Sequence, residues 1–297
     1  TGGEPLLHPD FVRIMDYLQE KALGVTIETN GTLMTSELAQ YLRNKTTLKF
    51  ISVSLDGATP ASHDLFRGVQ GSFEKSCQGV RSLAEAGFSP QVIMSLHLGN
   101  IQEIEAVVRL SEQLGAGSVK FNLIQPSGRG NLMKKQGRVN EIPEYIRIGR
   151  WVENDLQKTT NLYLSFSWPM AFFGINRLLN YKGYSCNIHN ILGVLSSGHL
   201  TMCGIGTQIP ELCYGKIGED SISSIWISHP LLLDLRNSIP EKLGGVCKQC
   251  IFKEKCFGYC AADNYLVTGQ IAADNRFCRE ANVLGYFPES RKIRQGV

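Results

Sequence analysis

The sequence predicts an α/β fold with a parallel sheet, followed by a small cysteine-rich domain. Over the first 180 residues, hydrophobic strand-like runs alternate with segments of helical periodicity, and the connections are too long for hairpins. Seven of the nine cysteines lie in the last third of the 297 residues. Because glycine and cysteine become frequent near Tyr181, we expect domains at 1–180 and 181–288, and a tail at 289–297.

The composition is that of an ordinary globular protein, with 43% hydrophobic and 19% charged residues. The formal net charge is +3 and no long basic run is present, so we expect no nucleic-acid partner. No apolar run reaches the roughly 20 residues that a membrane span needs. No signal peptide is visible, and we expect a cytoplasmic protein without a membrane partner.

The first predicted elements alternate regularly. Pro9 to Leu23 carries apolar residues at the helical period, and Val25 to Ile27 is typical of a short strand. A second helix, capped by Thr35 or Ser36, is expected to reach Leu42. Leu48 to Leu55 then predicts a hydrophobic strand.

The alternation continues through the middle of the chain. A helix is expected from Ser72 until Gly87 ends it. Gln91 to Leu96 predicts the third strand, Asn100 to Leu114 a further helix and Val119 to Ile124 the fourth strand. A loop is expected over residues 125–130.

Three further elements complete the expected sheet domain. Helical periodicity resumes from Glu141 to Leu156, and Leu162 to Trp168 is an apolar strand-like run. Pro169 to Leu179 is expected to be helical and well buried. The strands should therefore pair in parallel through helical crossovers.

Polar and glycine residues follow the predicted strands where those strands end. The carboxyl ends of parallel strands meet at one edge, which is where ligands bind in such folds. One site is thus expected from distant stretches: Asn30-Gly31, Ser54, Asp56-Gly57, Asn122 and Ser127 to Gly130.

The cysteine spacing predicts a metal site. Between Cys247 and Cys278 the pattern is C-x2-C-x5-C-x3-C-x17-C, with Cys186 and Cys203 upstream. Cysteine thiolates bind soft metals, and four per iron–sulfur cluster is usual. Structural zinc suits sets of four cysteines equally well, and disulfides would require an oxidising compartment.

Two separate motifs carry a family resemblance. The first is Gly2-Gly-Glu-Pro5, continued by Thr29-Asn-Gly31, Ser52 to Gly57, His63-Asp64 with Arg67-Gly68, Gly71-Ser-Phe73 and Pro126 to Gly130. The second is the cysteine series, with Gly198 in register. On these residues the chain resembles radical S-adenosylmethionine (SAM) enzymes with a SPASM domain. The resemblance implies a partial (β/α)6 radical SAM barrel followed by a SPASM domain that binds iron–sulfur clusters.

The resemblance also implies the cofactor site. Residues expected to bind SAM or line its site are Gly2, Gly3, Glu4, Asn30, Ser54, Asp56 and Arg67. Each has a plainer alternative: a simple turn for Gly2 to Glu4, turns for Asn30 and Asp56, a strand-end serine for Ser54 and a surface arginine for Arg67.

The resemblance implies two auxiliary [4Fe–4S] clusters. Cys247, Cys250, Cys256 and Cys278 would hold one. The other would be held by Cys186, Cys203 and Cys260, with Cys213 as the fourth ligand or with one iron left open. Zinc remains the alternative for these thiols.

One part of the family pattern is missing. The C-x3-C-x2-C that holds the SAM-cleaving cluster would precede Gly2, and no cysteine stands before Cys77. We expect this chain to be an N-terminally truncated fragment that is inactive alone. The third cluster would lie in the missing part, and an unpaired strand edge would be exposed where the second barrel strand belongs.

The resemblance implies a function for the full-length parent. It would generate a 5′-deoxyadenosyl radical from SAM and crosslink or oxidise a ribosomally made precursor peptide. Flavodoxin or ferredoxin would donate the electron. An anaerobic sulfatase-maturating enzyme is one alternative, although Gly204 stands where that family expects aspartate after Cys203. A non-catalytic iron–sulfur or zinc module is the other.

Overall fold

The computed structural model describes residues 3–125, 127–181, 186–204 and 209–293. Its centre is a five-stranded parallel sheet in which the strand order follows the chain order. The strands are β1 (Val25–Thr29), β2 (Leu48–Ser54), β3 (Gln91–Leu96), β4 (Ser118–Leu123) and β5 (Tyr163–Phe166). Sequential order with helical crossovers is the arrangement of a (β/α) barrel rather than of a doubly wound sheet.

Helices connect the strands and cover the sheet. They are α1 (Phe11–Glu20), α2 (Ser36–Lys45), α3 (Pro60–Arg67), α4 (Ser72–Glu85), α5 (Ile104–Gln113), α6 (Gly128–Lys135), α7 (Ile142–Asn154) and α8 (Ile175–Asn180). The α/β alternation expected from the sequence is therefore confirmed, with element ends shifted by a few residues.

Three segments differ from the expectation. Helix α3 was not predicted, although Thr59 caps it and Pro60 occupies its first turn. The expected loop at 125–130 gives way to α6, which begins at Gly128. The expected helix at 169–179 is split into a 3-10 turn and α8, because the backbone of Gly174 between them is extended.

The cysteine-rich end combines a small antiparallel sheet with short helices. The sheet contains β6 (Gly193–Val194), β7 (His199–Thr201) and β8 (Cys213–Lys216). The helices are α9 (Ile222–Ser228), α10 (Pro230–Ser238), α11 (Gly245–Lys248), α12 (Lys253–Cys256), α13 (Ala261–Thr268) and α14 (Arg276–Val283). Across the described ranges, every helix is too short or too polar to cross a membrane.

Two hydrophobic clusters hold the structure together, and the C-terminal segment contributes to both. The larger cluster contains the parallel sheet and extends to Cys250, Cys256, Phe277 and Cys278. The smaller one is formed by the antiparallel sheet and its helices. The segment after residue 181 therefore packs directly onto the sheet, and the expected boundary there stays a prediction.

Candidate cofactor and metal sites

Glu4 ties the start of the chain to the carboxyl end of β1. Its Oε1 accepts hydrogen bonds from the backbone N–H of Leu6 (3.2 Å) and the hydroxyl of Thr29 (2.5 Å). Its Oε2 accepts from the backbone N–H of Asn30 at 2.6 Å. The predicted SAM-binding carboxylate is thus fixed at the end of a strand. Of the predicted glycines beside it, Gly2 lies outside the described residues.

The turn after β1 is shaped by Asn30 and Gly31. The side-chain oxygen of Asn30 accepts from the N–H of Thr32 at 2.8 Å and from its hydroxyl at 2.7 Å. Gly31 has a φ of +76°, and an added Cβ would lie 2.6 Å from Cγ1 of Val53. This geometry gives Asn30 the turn-forming role that was the plainer alternative.

Asp56 and Arg67 form an ion pair beneath the same edge of the sheet. Asp56 is fully buried, and its Oδ1 accepts from the backbone N–H of Ser95 at 2.7 Å. The backbone N–H of Asp56 donates to Nδ1 of His63 at 3.1 Å. Asp56 therefore holds Arg67, whose side chain is 27% exposed, so that Arg67 remains open to a ligand on one side.

Two other residues predicted to bind the cofactor, Ser54 and Gly3, are not engaged by side-chain hydrogen bonds within the described residues. The Ser54 hydroxyl lies at the end of β2, half-buried, and makes no hydrogen bond to another residue in the described part of the chain. Gly3 is exposed, and an added Cβ would meet no atom within 4 Å. The hydroxyl of Ser54 is thus available to a ligand.

A polar cavity of about 420 Å³ lies at the carboxyl ends of β3, β4 and β5. Ser95, Lys120, Asn122 and Ser167 line it. Sequence reasoning singled out only Asn122 among these four. The other three could have been found from their positions near the ends of neighbouring strands. Alternate side chains of a strand point to the same face, so Lys120 lies on the same face of β4 as Asn122.

A second cavity of about 350 Å³ leads from there to the cysteines. It shares Lys120 and Ser167 with the polar cavity and reaches Cys186, Tyr259 and Cys260. Lys120 is half-buried, and its ammonium group makes no ion pair or hydrogen bond with any other described residue. A cationic side chain without a partner therefore stands between the strand ends and the thiols.

Four cysteines form one buried group. Burial is the main cause that raises the pKa of Cys278 well above its ordinary value, and the charges of Cys247, Cys256 and Cys250 add to it. Burial also raises the pKa of Cys247 to about 12, again with Cys256 and Cys250 nearby. These are the four residues that the resemblance assigns to one cluster.

Three other cysteines form a second group. Burial raises the pKa of Cys260 to about 12, with smaller contributions from Asp263, Cys203 and Cys186. Burial and then Cys203 raise the pKa of Cys186. Cys213 begins β8, where its Cα is paired with that of Thr201. Its place as a fourth ligand stays a prediction.

A left-handed turn separates the two groups where they come closest in sequence. Between Cys256 and Cys260, the φ angles of Phe257, Gly258 and Tyr259 are +52°, +70° and +66°. Phenylalanine and tyrosine rarely adopt such values, so the turn is held by its surroundings. It directs the thiols of Cys256 and Cys260 to different groups.

The donor sets fit a soft metal in their chemistry. The sulfurs of Cys250 and Cys247 accept from the backbone N–H groups of Phe252 (3.5 Å) and Asn275 (3.4 Å), and such bonds stabilise thiolate ligands. Burial opposes free thiolates, and a bound cation would relieve that cost. In the described ranges, however, no three histidine, cysteine or acidic side chains could hold a metal ion as they stand.

A family profile and two related proteins match most or part of this chain. The sequence profile of the radical SAM superfamily matches residues 1–111. AdoMet-dependent heme synthase from Methanosarcina barkeri is 32% identical over 94% of this chain and 80% of that protein. The antilisterial bacteriocin subtilosin biosynthesis protein AlbA from Bacillus subtilis is 35% identical over 88% of this chain and 54% of that protein.

A solved structure shares the fold over nearly the whole chain. It is Streptococcus suis SuiB bound to the precursor peptide SuiA, with a TM-score of 0.71 and 16% identity. The similarity covers 94% of this chain and 64% of SuiB, so this chain spans slightly less than two thirds of that protein.

Proposed function

Because the chain belongs to the radical SAM superfamily, we propose that the intact protein uses SAM to start radical chemistry on a precursor peptide. When bound, SAM and a reduced iron–sulfur cluster supply the radical, and the protein supplies binding, orientation and exclusion of water. The ligands of the SAM-cleaving cluster are not among the residues of this chain. The activity is therefore proposed for a protein that carries them upstream.

The SAM site would be built on the ends of the first two strands. Glu4, fixed against Thr29 and Asn30, offers a carboxylate to the SAM ammonium. Arg67, held by Asp56, would pair with the SAM carboxylate. The hydroxyl of Ser54 is available to the ribose, and glycines at positions 2 and 3, which carry no side chain, would allow a ligand to approach closely.

The observation that carries the proposal is the grouping of seven cysteines into two sets, of which the second contributes Cys186 and Cys260 to the cavity that leads from the strand ends. Cys247, Cys250, Cys256 and Cys278 would hold one [4Fe–4S] cluster. Cys186, Cys203 and Cys260, with or without Cys213, would hold the other. The second set adjoins the cavity that opens at the strand ends, so its cluster would stand next to the substrate.

Two features favour a peptide as the substrate. The cavity at the strand ends is lined by hydroxyl, amide and ammonium groups that can bind peptide amides and carboxylates. The similarity to AlbA, which is named for the biosynthesis of a bacteriocin, extends over 88% of this chain. A flavodoxin or ferredoxin of the cytoplasm would donate the electron.

A tetrapyrrole is the second candidate substrate, and one observation favours it. The Methanosarcina barkeri protein to which the chain is 32% identical is named a heme synthase, and the similarity covers 80% of its length. Lys120 could then pair with an acidic substituent on the ring. A sulfatase-maturating activity is less favoured, because glycine rather than aspartate follows Cys203.

Anaerobic reconstitution with iron and sulfide tests the cluster assignment. We expect about eight irons and no zinc per chain, since each [4Fe–4S] cluster needs four irons. One or two zincs without iron would mean a structural metal module, and the radical proposal would be withdrawn.

The substrate is tested with a protein that includes the upstream cluster motif. It is given SAM, a reductant and either the peptide encoded beside its gene or an iron porphyrin. Release of 5′-deoxyadenosine that depends on the peptide supports the proposal. Release that depends only on the porphyrin supports the second candidate.

A further inference from the structure

A third cavity, of about 560 Å³, lies where the parallel sheet meets the cysteine-rich end. It is bounded by the end of β4, the turn before α7, and α14. Apolar residues form most of its walls, among them Leu98, Leu123, Ile124, Val139, Phe277 and Leu284, and the charged residues Lys134, Glu141, Arg276 and Glu280 also line it. None of the predicted cofactor or metal ligands lines it. We call it the Asn140 cavity.

The one buried amide side chain in this wall lacks hydrogen-bond partners. Asn140 is 5% exposed, and neither its Nδ2 nor its Oδ1 makes a well-formed hydrogen bond with a described residue. The hydroxyl of Tyr145 lies close enough to the Asn140 side chain to oppose the rise that burial causes in the pKa of Tyr145, but it donates to the carbonyl of Leu96 at 3.1 Å. Burying an unpaired amide is unfavourable, so a ligand that hydrogen-bonds to Asn140 would relieve this cost.

Asn100 shows how the same side chain is satisfied elsewhere in this protein. It is 1% exposed, and its Nδ2 donates to the carbonyls of Asp56 (2.9 Å) and Ser95 (3.0 Å). Its Oδ1 accepts from the backbone N–H of His97 at 2.8 Å. The side-chain amide of Asn100 is therefore hydrogen-bonded within the described part of the protein, whereas that of the similarly buried Asn140 is not.

The Asn140 cavity is continuous with the polar cavity at the strand ends. Leu123, Ile124 and Gly130 line both. An extended ligand that fills one can therefore reach the other. From the Asn140 cavity to the polar cavity, such a ligand would contact first the apolar walls and the amide of Asn140. It would then contact the hydroxyl groups and Lys120 near the proposed radical site.

We propose that the Asn140 cavity anchors a large apolar side chain of the peptide substrate while Asn140 pairs with an adjacent main-chain amide. The inference rests on the proposed function, because it takes a peptide as the occupant. A side-chain amide offers a donor and an acceptor together, which matches the N–H and C=O of a peptide bond. The apolar walls match a leucine-like side chain, whose burial supplies affinity.

Thermal unfolding of the full, reconstituted chain tests whether Asn140 is free. Asn140→Leu keeps the volume and removes the unpaired amide, so its unfolding midpoint should equal or exceed that of the parent. Asn100→Leu is the matched control and should lower the midpoint by more than about 5 °C. If Asn140→Leu lowered the unfolding midpoint as much as Asn100→Leu does, the Asn140 amide would be needed for stability, and the proposal would be overturned.

Ligand-observed NMR tests the binding, with N-acetyl-leucinamide as the probe. A ligand of this size should bind with a dissociation constant on the order of millimolar. Asn140→Leu should weaken it about tenfold, as expected for losing one or two buried hydrogen bonds. N-acetyl-alaninamide should bind more weakly to the parent, because it lacks the apolar side chain.

Three results would overturn the proposal: no binding of the leucine probe, equal binding by Asn140→Leu, or equal binding of both probes. A spectral change of added hemin that Asn140→Leu abolishes would mean a tetrapyrrole occupant and would overturn it as well. None of these measurements needs SAM or turnover. Failure of these binding tests therefore leaves the iron test of the proposed function unaffected. Failure of the iron test likewise leaves the binding tests interpretable.

Discussion

The hydroxyl groups of Ser167 and Tyr259 lie 2.8 Å apart and join the end of β5 to the turn between Cys256 and Cys260. Tyr259 has a left-handed backbone with a φ of +66°, and it lines the cavity that reaches Cys260. This hydrogen bond therefore connects the parallel sheet to the point where the two cysteine groups separate.

Tyr259→Phe should destabilise the reconstituted chain without loss of iron. The change removes one partly buried hydrogen bond, which contributes about 1 kcal/mol, and it leaves every cysteine in place. We expect the thermal midpoint to fall by roughly 2 °C. Ser167→Ala should have the same effect, and the double variant should be no worse than either single one. Additive losses would show that the two hydroxyls act separately.

Removal of one cysteine from each group should remove one cluster each. Cys278→Ser should cost about four of eight irons, and Cys186→Ser should cost the other four, because each belongs to a separate group of thiols. Cys77→Ser is the control: this thiol is buried in α4, where burial raises its pKa to about 11, and it should keep all the iron. Loss of all iron in either group variant would contradict two independent sites.

Removal of Arg67 should destabilise the fold as well as weaken SAM binding. Arg67→Met leaves the fully buried carboxylate of Asp56 without its cation, which should cost about 3 kcal/mol in the free energy of unfolding. Asp56→Asn in the same chain should recover part of that loss, because the uncompensated charge is gone. Urea unfolding of both single variants and the double variant measures the coupling. A coupling near zero would mean that the ion pair carries no stability.

Stability should fall as the pH falls through the range in which histidine titrates. Burial is the main cause that holds the pKa of His63 below its ordinary 6.5, although the Asp56 and Asp64 carboxylates act in the opposite direction. The unfolded chain therefore takes up this proton first, so the stabilisation is complete above about pH 6.5 and is lost below it. Urea unfolding between about pH 7.5 and 5.5 measures the slope.

His63→Asn should reduce that slope and keep an acceptor for the backbone N–H of Asp56. Some slope should remain, because burial also lowers the pKa of His97. An unchanged slope in His63→Asn would show that this ring does not titrate differently on folding.

The sequence by itself determined the parallel α/β alternation, because strand and helix periods are local properties of the residue pattern. Strand β3 was predicted at its exact bounds, Gln91 to Leu96. Helix α3 was missed because its apolar residues are few, and its signal lay in the Thr59-Pro60 start. The cysteine spacing predicts metal ligands and the family resemblance divides them into two sets, and both assignments stay predictions.

Only the tertiary structure decided what each polar side chain contacts, because those partners are far apart in sequence. Arg67 meets Asp56, and Ser167 meets Tyr259, 92 residues away. It also decided that Asn100 is satisfied while Asn140 is not. No local pattern separates these two asparagines, because hydrogen bonding in a buried site depends on which distant atoms the packing brings within about 3 Å.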